Sequence, residues 1–190
     1  FRALDDSQGC ATPRLTEIVE MAAAMRGTSE LAGESLDQGT AFLTTVRAAW
    51  PAPQLETWAS TLERQGRTPA YPVAVAVVCA MNKLGLESAL TAYLHAFAAN
   101  LVSAATRLIP LGQVDAQTVA AALEAPVIKA VRTALQCPMG DIGSVTPMVD
   151  WTSMQHETQR TRLLRSRLQT GAACSAWALA ARWGPARPPS

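Results

Sequence analysis

A chain of 190 residues, 49% of them hydrophobic, can bury a substantial core, and one domain is expected. Its 16 basic and 15 acidic residues leave a net charge of +1, without the clustered basic excess that nucleic acid or an anionic membrane would select. Abundant alanine, only 5% aromatic residues and almost no strand-type alternation predict an all-α, single-domain orthogonal or irregular bundle of about seven helices.

Residues 1 to 11 are polar and small and form a ragged lead-in. Thr12-Pro13 joins a capping side chain to a proline at the first helical position, and Leu15, Ile18, Val19, Ala22 and Met25 then share one helical face. Gly27 is a candidate break; Leu31, Phe42, Leu43, Val46 and Trp50 carry helical character to Pro51, with Glu30, Glu34 and Asp37 facing solvent. After the turn at Pro51 and Pro53, Leu55, Trp58, Ala59 and Leu62 make a short amphipathic helix that stops near Gly66.

A proline-bounded connector, Thr68 to Pro72, leads to the apolar run Pro72–Met81. Its valines have strand propensity. It is read as a buried helix because Pro72 suits a first helical position, alanine alternates with valine and no second strand is available to pair with it. The run is far short of the roughly 20 residues that span a bilayer. The longest helical pattern, Glu87 to Leu108, carries Leu90, Leu94, Phe97, Leu101 and Ala105 on one stripe and should be the central helix, ended by Pro110. Asp115 is the expected cap of a helix reaching Leu123, and Pro126 opens another through Val127, Ala130, Val131 and Leu135.

The stretch from Cys137 to Ser166 is the most informative. Gly140, Asp141, Gly143 and Ser144 form a loop whose glycines suit positive φ or a close backbone approach. Thr146-Pro147 repeats the cap-then-proline signal. From Met154 to Ser166, Glu157 and the arginines Arg160, Arg162 and Arg165 stand among amides and two leucines. Composition alone fits a solvated last helix and a tail that orders on a partner equally well.

Catalytic constellations are sparse. His95 and His156 lack the spacing of a local metal site, so neither reads as half of one, and His95 reads as a helix histidine satisfied by a neighbour. Cys10, Cys79, Cys137 and Cys174 contain no CxxC pair, which fits a reduced, cytoplasmic protein without a structural zinc. No GxxxxGK[ST] or GxGxxG phosphate cradle occurs. Met21, Met25, Met81, Met139, Met148 and Met154 read as packing residues rather than soft-metal ligands.

Two blocks resemble the UreF family of urease accessory proteins. One is Gly140-Asp141-Ile142-Gly143-Ser144-x-x-Pro147 followed by Ser153-Met154-Gln155-His156-Glu157-Thr158-Gln159-x-x-Arg162-Leu163-x-Arg165-Ser166; the other is Arg107-Leu108-Ile109-Pro110-Leu111-Gly112-Gln113. With the family-like stretch from Arg26 to Trp50, the resemblance covers roughly residues 15 to 166. It implies an all-α, non-enzymatic adaptor that bridges a UreD/UreH-type scaffold and the GTPase UreG while nickel is inserted into apo-urease, with homodimer formation common in the family. By the same resemblance there is no catalytic or metal-ligating residue and no cofactor, nickel being handled by the complex. His156, Glu157, Gln159, Arg162, Leu163, Leu164, Arg165 and Ser166 would form the tail that docks on the UreD/UreH-type partner. Arg107, Pro110, Gly112 and Gln113 would form a GTPase-facing patch, weighed equally against a helix C-terminus carrying a favourable cation.

The resemblance has limits. Thr161 and Leu164 stand where relatives have Tyr or Phe. Relatives begin with a further helical stretch carrying a Pro-x-Gly-x-[Phe/Tyr]-Ser-x-Ser-x-Gly-like motif absent here, and residues 167–190 form an atypical extension expected to be largely disordered. Two other readings stand beside the adaptor: a small helical hydrolase or transferase using His156, Glu157 and Asp141, and a truncated paralogue without a urease role.

Overall fold

A computed structural model describes residues 13–143 and 146–157. The lead-in, Cys10, Thr12, Ser144, the tail residues Gln159, Arg162, Leu163, Leu164, Arg165 and Ser166, Cys174 and the rest of the 167–190 extension lie outside the described residues. The helices are α1 (Pro13–Ala24), α2 (Ser29–Ala49), α3 (Pro53–Arg64), α4 (Tyr71–Met81), α5 (Leu86–Leu108), α6 (Gln113–Ala122), α7 (Glu124–Gln136) and α8 (Pro147–Glu157), with a 3₁₀ turn at Met139–Asp141. No strand occurs among the described residues. None of these helices is long and apolar enough to cross a membrane.

The described chain forms two compact units, residues 13–81 with 146–157 and residues 82–143. In the first, Leu15 and Val19 of α1, Leu43 and Val46 of α2, Leu55, Trp58 and Leu62 of α3, and Val73, Ala74 and Val77 of α4 make one buried core. The break at Gly27 is real. Thr28 adopts extended backbone (φ −132°, ψ 154°) and its side chain accepts the Leu31 N–H, so a new helix begins there. The described residues form eight α-helices, in keeping with the expected all-α bundle of about seven.

The ambiguous run is indeed a helix. Val73, Ala74, Val75, Val77 and Cys79 are all buried, as expected of a helix apolar on most of its circumference. Burial pushes the Cys79 thiol up to about 11.

Helix α3 ends in a paired turn: Gly66 N–H bonds to Glu63 C=O and Arg67 N–H to Leu62 C=O. Gly66, at φ +63°, occupies the left-handed position this closure requires. Gly39 serves a different purpose, because a Cβ there would lie 2.1 Å from the Pro69 carbonyl oxygen. Its absence lets the 69–71 backbone press against α2, where Phe42 meets Tyr71 edge-on at 5.7 Å. At the rim, Arg47 donates to Glu56 at 2.9 Å and to Glu63 at 2.8 Å, tying α2 to α3. The Arg47 hydrogen bond holds the Glu56 carboxyl below its usual range.

The second unit is built differently. Ala89 is the buried residue of α5, Ala116 that of α6, and Val127 and Val131 those of α7. The expected central stripe is covered only in part: Leu90, Leu94 and Ala105 are half-buried, whereas Phe97 and Leu101 are each 57% exposed. Ala98 and Ala99, on another side of α5, line a small void with Ala120, Leu123 and Val127. Helix packing in this unit therefore relies largely on small side chains and leaves Phe97 and Leu101 outside. Gly112 rather than Asp115 is the N-cap of α6; Asp115 lies in the first turn, where a carboxylate suits the helix dipole.

Candidate functional site

The residues singled out from sequence fall on three surfaces. Arg107 lies in the last turn of α5, and the chain leaves the helix at Ile109 in extended conformation (φ −129°, ψ 157°). Arg107, Pro110, Gly112 and Gln113 are all exposed. Around them Leu108, Ile109 and Val114 are 62%, 55% and 79% exposed, so the predicted patch has an apolar border, two of whose residues belong to the motif itself.

The glycine loop is simpler than expected. Gly140 and Gly143 have negative φ, and a Cβ on either would meet no atom within 4 Å. Neither a left-handed turn nor a close approach explains them. The loop instead walls an open groove of about 660 Å³ beside α7, lined by Lys129, Thr133, Cys137, Asp141 and Ile142 among others.

Helix α8 carries the most specific geometry. Its start obeys the sequence signal, since the helix begins at Pro147 and the Thr146 carbonyl accepts the Asp150 N–H at 3.0 Å. One face then meets the N-terminal end of α2. Ser153 Oγ lies 2.8 Å from Thr28 Oγ1. Glu157 Oε1 accepts from Ser29 Oγ at 2.5 Å and from the Glu30 backbone N–H at 3.2 Å. His156 Nδ1 lies 2.6 Å from Glu30 Oε1. Glu157 thus satisfies one of the N–H groups that a helix start leaves without an intrahelical partner, and its charge suits that end of the dipole.

Glu30 was expected to face solvent; its side chain is only 24% exposed because His156 sits against it. Thr28, Ser29 and Glu30 are the structural neighbours of α8 that sequence reasoning missed, and Ser153, part of the quoted motif, is bonded to Thr28. The available signal was Thr28 as N-cap with an acidic residue in the first turn, and nothing in the sequence linked it to a helix 120 residues away.

The other side of α8 is apolar and open. Met148 is 71% exposed and Trp151 54%, with Met154 at 49% flanking them, and the helix buries no residue. With Met25 at 42% and Met139 at 52%, four of the six methionines are outside rather than in a core, a correction to their reading as packing residues. Met81 packs at the edge of the first core. No group of three or more potential metal-ligating side chains occurs among the described residues. The arrangement is one of capping bonds and exposed apolar surface, suited to holding and presenting a helix.

Comparison with known proteins gives a consistent picture. The family model described as UreF matches residues 2–124. A protein named urease accessory protein UreF from Bradyrhizobium diazoefficiens is 46% identical over 153 residues, covering 80% of this chain and 62% of that protein. A protein of the same name from Granulibacter bethesdensis is 44% identical, covering 80% of this chain and 64% of its own length. One from Rhodopseudomonas palustris is 41% identical over 166 residues, covering 87% and 68% respectively. The chain spans about three fifths of the length of the first of these relatives.

Proposed function

The chain belongs to the UreF family of urease accessory proteins, and from that premise we propose that it acts as a non-enzymatic adaptor in urease maturation. In this reading it joins a UreD/UreH-type scaffold to the GTPase UreG in the cytoplasm while nickel is delivered to apo-urease. Nickel is cargo of the complex, and this chain holds no cofactor of its own.

The observation that best supports the reading is α8. Its outward face offers Met148, Trp151 and Met154, each about half exposed or more, immediately before the arginine- and leucine-containing segment Arg160 to Ser166. Aromatic and methionine anchors followed by arginines are the side-chain types that dominate binding energy at protein interfaces. Arg162 and Arg165 supply planar, two-pronged donors for carboxylates, and Leu163 and Leu164 supply apolar contacts. The exposed Arg107–Gln113 turn is the second surface, assigned in this proposal to the GTPase side. Pairing of two copies is a further part of the proposal, and neither nucleic acid nor membrane is required.

Co-purification with UreD/UreH-type and UreG proteins tests it. The wild-type chain is expected to be recovered in the complex, whereas Met148→Asp/Trp151→Asp and Arg162→Ala/Arg165→Ala bind the scaffold at least about tenfold more weakly, with circular dichroism unchanged. A folded wild-type chain that binds neither partner would sink the adaptor reading and favour a repurposed paralogue.

A further inference from the structure

A methionine inside a core is sheltered from oxidants, whereas on the surface its thioether is open to them. Met81 packs against the α1–α4 core and Met21 is half-buried. Met25 and Met139 are exposed singly, at 42% and 52%, on other parts of the chain. Helix α8 exposes two: Met148, at 71% the most exposed methionine of the described residues, and Met154 at 49%, with Trp151 between them in sequence.

Neither sulfur takes part in holding the structure. The side-chain hydrogen bonds from α8 to the start of α2 come from Ser153, His156 and Glu157, and the helix buries no residue. A change of polarity at Met148 and Met154 therefore alters the outward face and leaves the core and these bonds as they are. The described thiols are more sheltered. Cys79 is 2% exposed, and burial keeps it protonated by pushing the thiol up to about 11; Cys137 is half-buried.

We propose that Met148 and Met154 form an oxidation site that switches the α8 face from apolar to polar. Hydrogen peroxide gives one oxygen atom to the thioether sulfur: its O–O bond breaks, an S–O bond forms, the second oxygen leaves as water, and the peroxide gains the two electrons that sulfur loses. The product is a polar, chiral sulfoxide in place of a flexible apolar side chain. Reversal uses a dithiol reductase, which removes the oxygen as water while its two thiols become a disulfide. The consequence for docking, a weaker hold on the scaffold partner, rests on the adaptor reading; the site itself is a property of the chain alone.

Graded hydrogen peroxide on the full chain, followed by peptide mass spectrometry, tests the site. Met148 and Met154 are expected to convert about tenfold faster or more than Met21 and Met81, with far-ultraviolet circular dichroism unchanged and retention on a hydrophobic-interaction column reduced. Leucine matches methionine in volume and has no sulfur, so Met148→Leu/Met154→Leu, with every cysteine kept, is expected to remove most of that reduction. Equal conversion rates at all four methionines, most of the reduction persisting in the variant, or loss of helical signal at the first conversion overturns the proposal. On the scaffold partner, oxidised wild type is expected to bind about tenfold more weakly than untreated chain, while the treated-to-untreated ratio of the variant stays within about twofold. Equal binding by oxidised and untreated wild type overturns the control of docking. An untreated chain that does not bind the scaffold counts against the adaptor reading, and the column and the peptide map still decide the oxidation site.

Discussion

Helices α1–α4 and helices α5–α7 are similar in composition and propensity, yet they treat their apolar residues in opposite ways. The first set buries Trp58, three leucines of α2 and α3, Leu15 and a run of valines in one cluster. The second buries two alanines and two valines, and exposes Phe97, Leu101, Leu108 and Ile128. The difference lies in which side chains face the neighbouring helix. In α3, Leu55, Trp58, Ala59 and Leu62 lie on the packed face, whereas in α5 the residues bordering α6 and α7 include Ala98 and Ala99. Burial free energy scales with apolar area removed from water, about 25 cal/mol per Å². A unit packed through alanine gains much less from association than one packed through leucine and tryptophan. Resistance to unfolding should therefore concentrate in α1–α4.

The sharpest way to break this contrast is to remove its largest core side chain. Trp58 is 3% exposed, and Trp58→Ala is expected to cost about 3–5 kcal/mol, enough to unfold a marginal domain. Guanidinium titration followed by far-ultraviolet circular dichroism checks it. A cost below about 1 kcal/mol would mean the α1–α4 cluster is not the stabilising core.

A smaller effect probes the same core through protonation. The buried Cys79 thiol is raised from 9.0 to about 11, so the folded chain keeps the proton in a range where the unfolded chain has lost it. The corresponding stability is present below pH 9 and is lost as pH rises toward about 11, amounting to on the order of 2 kcal/mol. Wild type should therefore lose more Tm between pH 8 and pH 10.5 than Cys79→Ala. Parallel curves for the two proteins would show that the thiol is not held in the core as described.

The first unit was legible in sequence because its signals were local and redundant. Pro13, Pro53, Gly66 and the three- and four-residue spacing of Leu55, Trp58 and Leu62 each fix a boundary or a face, and the structure respects all of them. The 72–81 run was harder, since valine favours strands; the helix starts one residue before Pro72, as the proline signal indicated, and is buried around most of its circumference. Periodicity failed in α5, where it identified the stripe through Leu90, Leu94, Phe97 and Leu101 but could not say whether anything covers it. The candidate site was legible in its motifs and not in its contacts. His156 and Glu157 stood out as part of a recognisable block, while their partners Ser29 and Glu30 lie more than 120 residues away and carry no pattern of their own. Long-range polar pairing leaves no periodic trace, and the apolar face of α8 looked like ordinary packing because two methionines and a tryptophan have the same composition as a core.

The smallest expected effect is the one that tests the second half of the contrast. Phe97 and Leu101 are each 57% exposed, so Phe97→Ser/Leu101→Ser removes little surface that folding takes out of water. Its cost to the chain's stability is expected to be below about 1 kcal/mol, most of it from helix propensity rather than packing, because serine is a weaker helix former than leucine. The same pair of changes in α3, Leu55→Ser/Leu62→Ser, would prevent folding, since those leucines are 2% and 3% exposed. Thermal melts of the Phe97→Ser/Leu101→Ser chain at several concentrations make the comparison quantitative. A large, concentration-independent drop in Tm would mean that the α5 stripe is covered within the chain, and the contrast between the two sets of helices would collapse. A drop that grows with protein concentration in the wild-type background, relative to the variant, would instead assign the stripe to contact between copies.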